Sequence, residues 1–401
     1  MSCSDPGMGT DVLQQRQAMT TAGREFRIRA QELIREIVVV DTHIDLPDRL
    51  LKSREDISVL TRTGDFDYVR ARNGGLGLVF LALYVPPVLE GSPQAMIRAQ
   101  ALLDVVDAMV ERWPDKFGFA LSPGDLPAMP QGDRVLIALG LENGAPLDGN
   151  PAHVAWFAQR GVRYITLSHM KSNHLCDSSG DVHRPWHGLS PFGKQVVAEM
   201  NRQGIMIDVS HISDEAFYDV LRNSRVPVIA SHSSCRAFTP GWERNMDDTM
   251  IAELAGAGGV IQINFGSSFV RSDIRALADG EAKAVDAFRA ATGAGNGSNE
   301  EREFVRDYRE SHPRPYADVS DVARHIDHVA QLAGIDHVGI GSDFDGLGDQ
   351  LPTGLKDVSM YPNLLAELLA LGYSEVEIAK VCSGNILRVW KSVEDAARAA
   401  A

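Results

Sequence analysis

Eight short apolar runs are spread evenly along the chain, each bounded by glycine, proline or polar turns: Ile37–Asp41, Leu78–Val85, Val135–Glu142, Tyr164–Ser168, Ile205–Ser210, Pro227–Ser231, Val260–Phe265 and His337–Asp343. Most are continuously apolar rather than alternating, the pattern of parallel strands covered on both faces. Between them lie Ser92–Arg112, Pro151–Arg160, Pro191–Gln203, Asp214–Asn223, Asp247–Ala257 and Val319–Ala333, with apolar residues at the three- and four-residue spacing of helices. Strand and helix alternate. Eight βα units with right-handed crossovers predict an α/β fold closed into a (β/α)8 barrel of the TIM type. A doubly wound open sheet would place a glycine-rich phosphate loop after its first strand, and none follows Asp41.

Residues 266–316 exceed an ordinary connection and include the run ATGAGNGSNEE, which predicts a helical insertion with a mobile tip between strands seven and eight, placed to cover the active-site face. The expected organisation is an N-terminal extension and helix over 1–36, one catalytic barrel domain over 37–394 and a C-terminal tail over 395–401.

Composition narrows the function classes. Of 401 residues, 44% are hydrophobic and 23% charged, which permits a large core. The net charge of −15 has the wrong sign for nucleic acid or an anionic membrane surface. Cys3, Cys176, Cys235 and Cys382 lie far apart with no CxxC pair, as expected in a reducing compartment. The first 35 residues hold no apolar run of signal-peptide length, so the expected location is cytoplasmic.

In a barrel, reactive groups gather at the C-terminal ends of the strands. Strand one ends in Asp41-Thr42-His43-Ile44-Asp45, where His43 and Asp45, two apart in extended chain, face the same side and can grip one cation. Glu142 terminates a wholly apolar run, and burial there calls for a partner charge or a metal. His211 and His232 follow strands five and six, and Asp343 and Asp345 follow strand eight, where an aspartate lies beside strand one. His43, Asp45, Glu142, His211 and His232 are too many ligands for one open tetrahedral zinc and suit two, with Glu142 bridging. Manganese, cobalt or iron would also suit such ligands.

In order along the chain, DTHIDLP, LEN, ITLSH, DVSH, SHSS followed by ERN, GSDFDG and the late SGNILRVW resemble the renal or membrane dipeptidases, from about Val38 to Trp390. The resemblance implies a binuclear zinc dipeptidase in which a metal-bridging hydroxide attacks the peptide bond. It places His43 and Asp45 on one ion, Glu142 between the two, and His211 and His232 on the second. It also implies that His169 hydrogen-bonds the carbonyl oxygen as it becomes an oxyanion and that Arg244 clamps the substrate's free carboxylate, with Arg236 as its rival, while the place of Asp343 beside strand one suits it to take the proton from the hydroxide and pass it to the leaving amine. Dipeptides with a C-terminal D-residue and a homodimer are further family expectations.

The secretory signal, disulfides and lipid anchor of vertebrate members are not expected here, so their location does not transfer, and the insertion after Phe265 does not match closely. His174, His183 and His187 read as ordinary loop histidines, His325 and His328 as polar-face residues solvated or paired with Asp321 or Asp327, and Cys235 as packing. The rival readings are an amidase, lactamase or N-acyl amino-acid hydrolase on the same site, and a non-catalytic metal-binding protein.

Overall fold

The computed structural model describes residues 23–126 and 133–400. Among these residues nine strands form one all-parallel sheet: β1 (Val39–Ile44), β2 (Leu76–Tyr84), β3 (Phe117–Phe119), β4 (Val135–Glu142), β5 (Val162–Thr166), β6 (Met206–Asp208), β7 (Ile229–Ser233), β8 (Val260–Ile263) and β9 (Val338–Ile340). Eight follow the order β1-β2-β4-β5-β6-β7-β8-β9, and β3 pairs only with the first half of β4. The ends meet where Asp45 N–H donates to the Phe344 carbonyl at 2.9 Å and Asp343 N–H donates to the His43 carbonyl at 3.0 Å. The architecture is a (β/α)8 TIM-type barrel.

Two departures from the strand pattern matter. The first strand runs on to Ile44 instead of stopping at Asp41, because Asp41 and Ile44 pair with Val79 and Leu81 of β2. Thr42 stays inside the barrel at no cost in lost hydrogen bonds, its hydroxyl lying 2.6 Å from the Ser231 carbonyl and 3.0 Å from that of Ile340. The extra strand β3 comprises only three residues, FGF, too few to show a period.

The predicted helices form at nearly the expected bounds, with Pro191–Gln203, Asp214–Asn223 and Val319–Ala333 matching end to end. Their N-termini show why. Ser190, Ser213 and Asp318 each accept a backbone N–H within the first turn of the helix they precede, satisfying one of its orphan donors. The insertion contributes the short turn Ser267–Val270 and the helices Ser272–Thr292 and Asn299–Ser311. Residues 23–33 are helical, while the expected loose start of the extension lies largely outside the described residues. Among the described residues no helix is long and apolar enough to cross a membrane.

The barrel interior is a separate small core. Val40, Leu78, Phe80, Ala138, Tyr164, Met206, Ile229 and Val260 point inward, and Ile386, Val389, Trp390 and Val393 of the helix Asn385–Ala400 pack against them. The Trp390 ring meets Phe80 at 5.4 Å and 63°. The end opposite the reactive groups is thus stoppered by side chains from the last helix. Trp390→Ala should cost about 3–5 kcal/mol of folding stability, as for a fully buried aromatic in a close-packed core. Denaturant unfolding checks this, and a loss below about 1 kcal/mol would mean that the helix does not seal the barrel.

Candidate active site

Glu142, the last residue of β4, lies at the centre of the opposite rim with its side chain only 4% exposed. Its carboxylate is 3.6 Å from Nε2 of His43 and 3.6 Å from Nε2 of His232, and 3.4 Å from Nε2 of both His169 and His211. His43 Nε2 is also 3.6 Å from Asp45, and a second oxygen of this corner comes from Asp343. Among the described residues three sets of donor atoms lie close enough to hold a cation: His43, Asp45 and Asp343; His43, Glu142 and His232; Glu142, His169 and His211. Glu142 belongs to two of them.

Neighbouring groups set the imidazoles. The Tyr164 hydroxyl donates to the Thr42 carbonyl at 3.0 Å, so at 2.8 Å it can only accept from His43 Nδ1–H. Ser231 does the same for His232: its hydroxyl donates to Asp208 at 2.6 Å and accepts from Nδ1–H at 2.8 Å. In both rings Nδ1–H is thus engaged by a hydroxyl, which leaves the inward-facing Nε2 as the nitrogen available to a metal. Asp208 is held in turn by the Ser231 and Ser210 amides at 2.7 and 3.0 Å. His211 and His232 present their Nε2 atoms to each other at 2.9 Å.

The backbone is strained here. His211 and Asp343 have φ of 71° and 66°, and Asn143 and Asp345, each adjoining the rim, have 80° and 64°. Non-glycine residues adopt this region at a cost, and the surrounding structure must impose it. Gly346 leaves the room: a Cβ there would fall 2.3 Å from Asp45 Oδ2 and 2.5 Å from Asp343 Oδ1.

Electrostatics call for cations. Burial, followed by Glu142, raises Asp45 well above the usual carboxylate range, and burial raises Asp343. Burial alone would lower His43, but Glu142, then Asp45 and Asp343, more than offset it and push its affinity for a proton up to about 10. Burial, then Arg244, holds His211 well below the ordinary imidazole value, and burial, then His43, does so for His232. Positive charge is drawn to a pocket whose remaining imidazoles stay neutral, and His43 Nε2 and His211 Nδ1 are buried without a hydrogen-bond partner. The donor set fits divalent metal ions.

Arg244 reaches into this pocket. It donates to Ser233 Oγ at 2.8 Å and to the His232 carbonyl at 2.7 Å, with Nη2 3.1 Å from His211 Nε2, while its Nε is buried and unpartnered. Arg236 instead forms a two-point pair with Asp214 at 2.7 and 2.6 Å, outside the cluster.

A family model for membrane dipeptidase, peptidase family M19, matches residues 27–401. The chain belongs to this family. An uncharacterized dipeptidase of Schizosaccharomyces pombe is 31% identical over 399 residues, covering 94% of this chain and 86% of the relative. The crystal structure of the probable dipeptidase PvdM from Pseudomonas aeruginosa aligns with a TM-score of 0.79 at 29% identity, over 93% of this chain and 99% of that one. A Rhodobacter sphaeroides metallopeptidase solved with a phosphinate mimic of the dipeptide L-Ala-D-Ala gives 0.72 at 26%, over 89% and 99%. The protein is thus an M19 dipeptidase, a metal-dependent hydrolase, with clustered metal-binding residues on a TIM-type barrel.

Other histidines of this dipeptidase lie outside the pocket. His183 and His187 are exposed, and His174 bonds Glu90 at 2.6 Å. The polar-face expectation for His325 is overturned. It is fully buried, its Nδ1 accepting from Cys235 N–H at 3.0 Å and its Nε2 lying 3.1 Å from the Val270 carbonyl, so two backbone groups satisfy both nitrogens. His328 pairs with Asp248 at 2.8 Å rather than with Asp321 or Asp327. Asp345 turns away from the pocket to Arg49 at 2.9 Å.

Sequence reasoning missed Tyr164, Ser231 and Asp208, which set the imidazoles, and Asn264, which donates to Asp343 Oδ2 at 2.8 Å. Two of them carried a signal: Asp208 is the acid inside DVSH, and Asn264 is a polar residue ending the apolar run of β8. Tyr164→Phe removes the acceptor for His43 Nδ1–H and should weaken metal binding by about 10- to 100-fold with the fold kept. Chelator competition measures this, and an unchanged affinity would show that Tyr164 does not orient the ligand.

Proposed function

We propose a binuclear zinc dipeptidase in which His43 and Asp45 hold one ion, His211 and His232 the other, and Glu142 is shared. The observation that carries this reading is the position of Glu142, within 3.6 Å of four imidazole nitrogens from four different strand ends. Cations bound there would supply the Lewis acidity that favours hydroxide over water as nucleophile at neutral pH and polarises the scissile carbonyl.

The chain's own residues do the rest. Arg244, its Nε free and its charge buried, binds the substrate's terminal carboxylate and fixes the length of chain the pocket accepts. That anchor puts the scissile carbonyl oxygen toward His169, whose Nε2 side faces the cluster and donates as the oxygen gains charge. Asp343, positioned by Asn264 on one oxygen, accepts the proton of the attacking water and delivers it to the amine, so one water is consumed as the C–N bond breaks. Because carbonyl and carboxylate are held more firmly than the second side chain, a D-residue at the C-terminal position fits this scheme, and the Rhodobacter sphaeroides relative solved with an L-Ala-D-Ala mimic supports it.

Glu142→Gln should loosen metal at both positions together, whereas Asp343→Asn should keep metal content near normal and lower turnover by about 10² to 10⁴. Metal analysis beside steady-state kinetics separates them, and loss of a full metal equivalent in Asp343→Asn would end this division of roles. Converting the substrate's terminal carboxylate to an amide should abolish turnover. If amidated dipeptides react as well as free ones, an amidase or N-acyl amino-acid hydrolase becomes the better reading. Parallel assays of L,L and L,D dipeptides test the stereochemical proposal, which fails if no L,D dipeptide is cleaved.

A further inference from the structure

Arg244 gains little orientation from charged neighbours. Among the described residues its hydrogen-bond partners are one hydroxyl, one carbonyl and an imidazole nitrogen, and no carboxylate pairs with it. Burial pulls its guanidinium down to about 10. A planar group that must meet a carboxylate at two points needs its plane fixed as well as its position.

An aromatic side chain of the insertion meets it. The Arg244 guanidinium carbon lies over the Phe269 ring at 5.3 Å. Phe269 meets the Trp242 indole at 4.8 Å and 69°, and Arg275, in the first turns of the helix Ser272–Thr292, lies over that indole at 4.0 Å. Cation, ring, ring and cation thus form one continuous run of contacts from the insertion helix to the pocket, the two rings meeting edge to face. The backbone locks its middle: Asn245 Nδ2 donates to the Phe269 carbonyl at 2.8 Å, and Asn245 Oδ1 accepts from Ser234 N–H at 3.0 Å. Adjacent residues therefore divide the work, Arg244 facing the pocket and Asn245 tying the turn Ser267–Val270 to the end of β7. Arg244 is buried where it meets the Phe269 face, and a cation–π contact is stronger when the cation is desolvated.

We infer that Phe269, backed by Trp242 and Arg275, is a positioning residue for carboxylate recognition: it holds the guanidinium plane of Arg244 for the substrate's C-terminus and so gives the start of the insertion a part in substrate binding. This rests on the proposal that Arg244 binds that carboxylate.

The test compares Phe269→Leu and Phe269→Tyr with Arg244→Met in the metal-loaded enzyme, using a free dipeptide and reading KM and kcat separately. Leucine keeps apolar bulk without an aromatic face, and tyrosine keeps the face. Phe269→Leu should raise KM by about 3- to 30-fold with kcat changed less than about threefold, while Phe269→Tyr stays within about twofold of the parent. Trp242→Leu, at a half-exposed position, provides a second arm should Phe269→Leu not fold, and it should raise KM in the same direction by a smaller factor. An unchanged KM in both leucine variants overturns the inference, as does an equal rise in Phe269→Leu and Phe269→Tyr, which would signal packing rather than the ring face. If Arg244→Met raises KM and the leucine variants do not, the stack alone is wrong. If Arg244→Met leaves KM unchanged, the carboxylate reading fails and the stack with it.

Discussion

Three carboxylates, Asp45, Glu142 and Asp343, share one almost fully buried rim, and their mutual repulsion is the constraint around which the rest of the molecule is arranged. Like charges at this spacing in a region of low dielectric are costly, and only nearby positive charge offsets them. Four imidazoles and one guanidinium surround the acids, with Glu142 at the centre. The barrel makes this possible because its strands converge and deliver side chains from separate parts of the sequence to one ring. The stoppered far end and the left-handed backbone at His211 and Asp343 hold that convergence in place. Local strain and core packing thus serve one electrostatic problem.

The rim was legible in the sequence because its residues violate the local pattern. A histidine or acid that ends a run of valines and isoleucines has no ordinary reason to be there, and His43, Glu142, His211, His232 and Asp343 all stand so. Of the groups that orient them, Tyr164 and Ser231 obey the pattern and so stayed hidden. Tyr164 reads as one more large side chain in an inward strand, and Ser231 as a small residue before a histidine, although each fixes a tautomer. His325 shows the opposite failure. Its spacing from Val322 and Val329 put it on the apolar face of its helix, but its polarity argued for solvent, and the backbone partners that permit burial come from Cys235 and Val270, remote in sequence. The strand β3 escaped because three residues cannot display a period.

The insertion was visible as a length, and its contacts were not. Its helices could be expected from composition, but an aromatic stack between Arg275 and Arg244 depends on how a four-residue turn docks on the loop after β7. Such contacts join segments whose local sequence is unremarkable on either side. They are set by tertiary placement, for which propensity is a weak guide.

Gly140 and Tyr164 face each other across neighbouring strands, and a Cβ at position 140 would fall 2.0 Å from the tyrosine ring. The two positions are therefore epistatic. Any side chain at 140 evicts the phenol that steers His43, whereas a smaller residue at 164 opens a void beside the glycine and leaves Nδ1 without its acceptor. Each single change from this pair introduces a different defect, one steric and one chemical. A different packing of this part of the barrel wall therefore has to replace both side chains together.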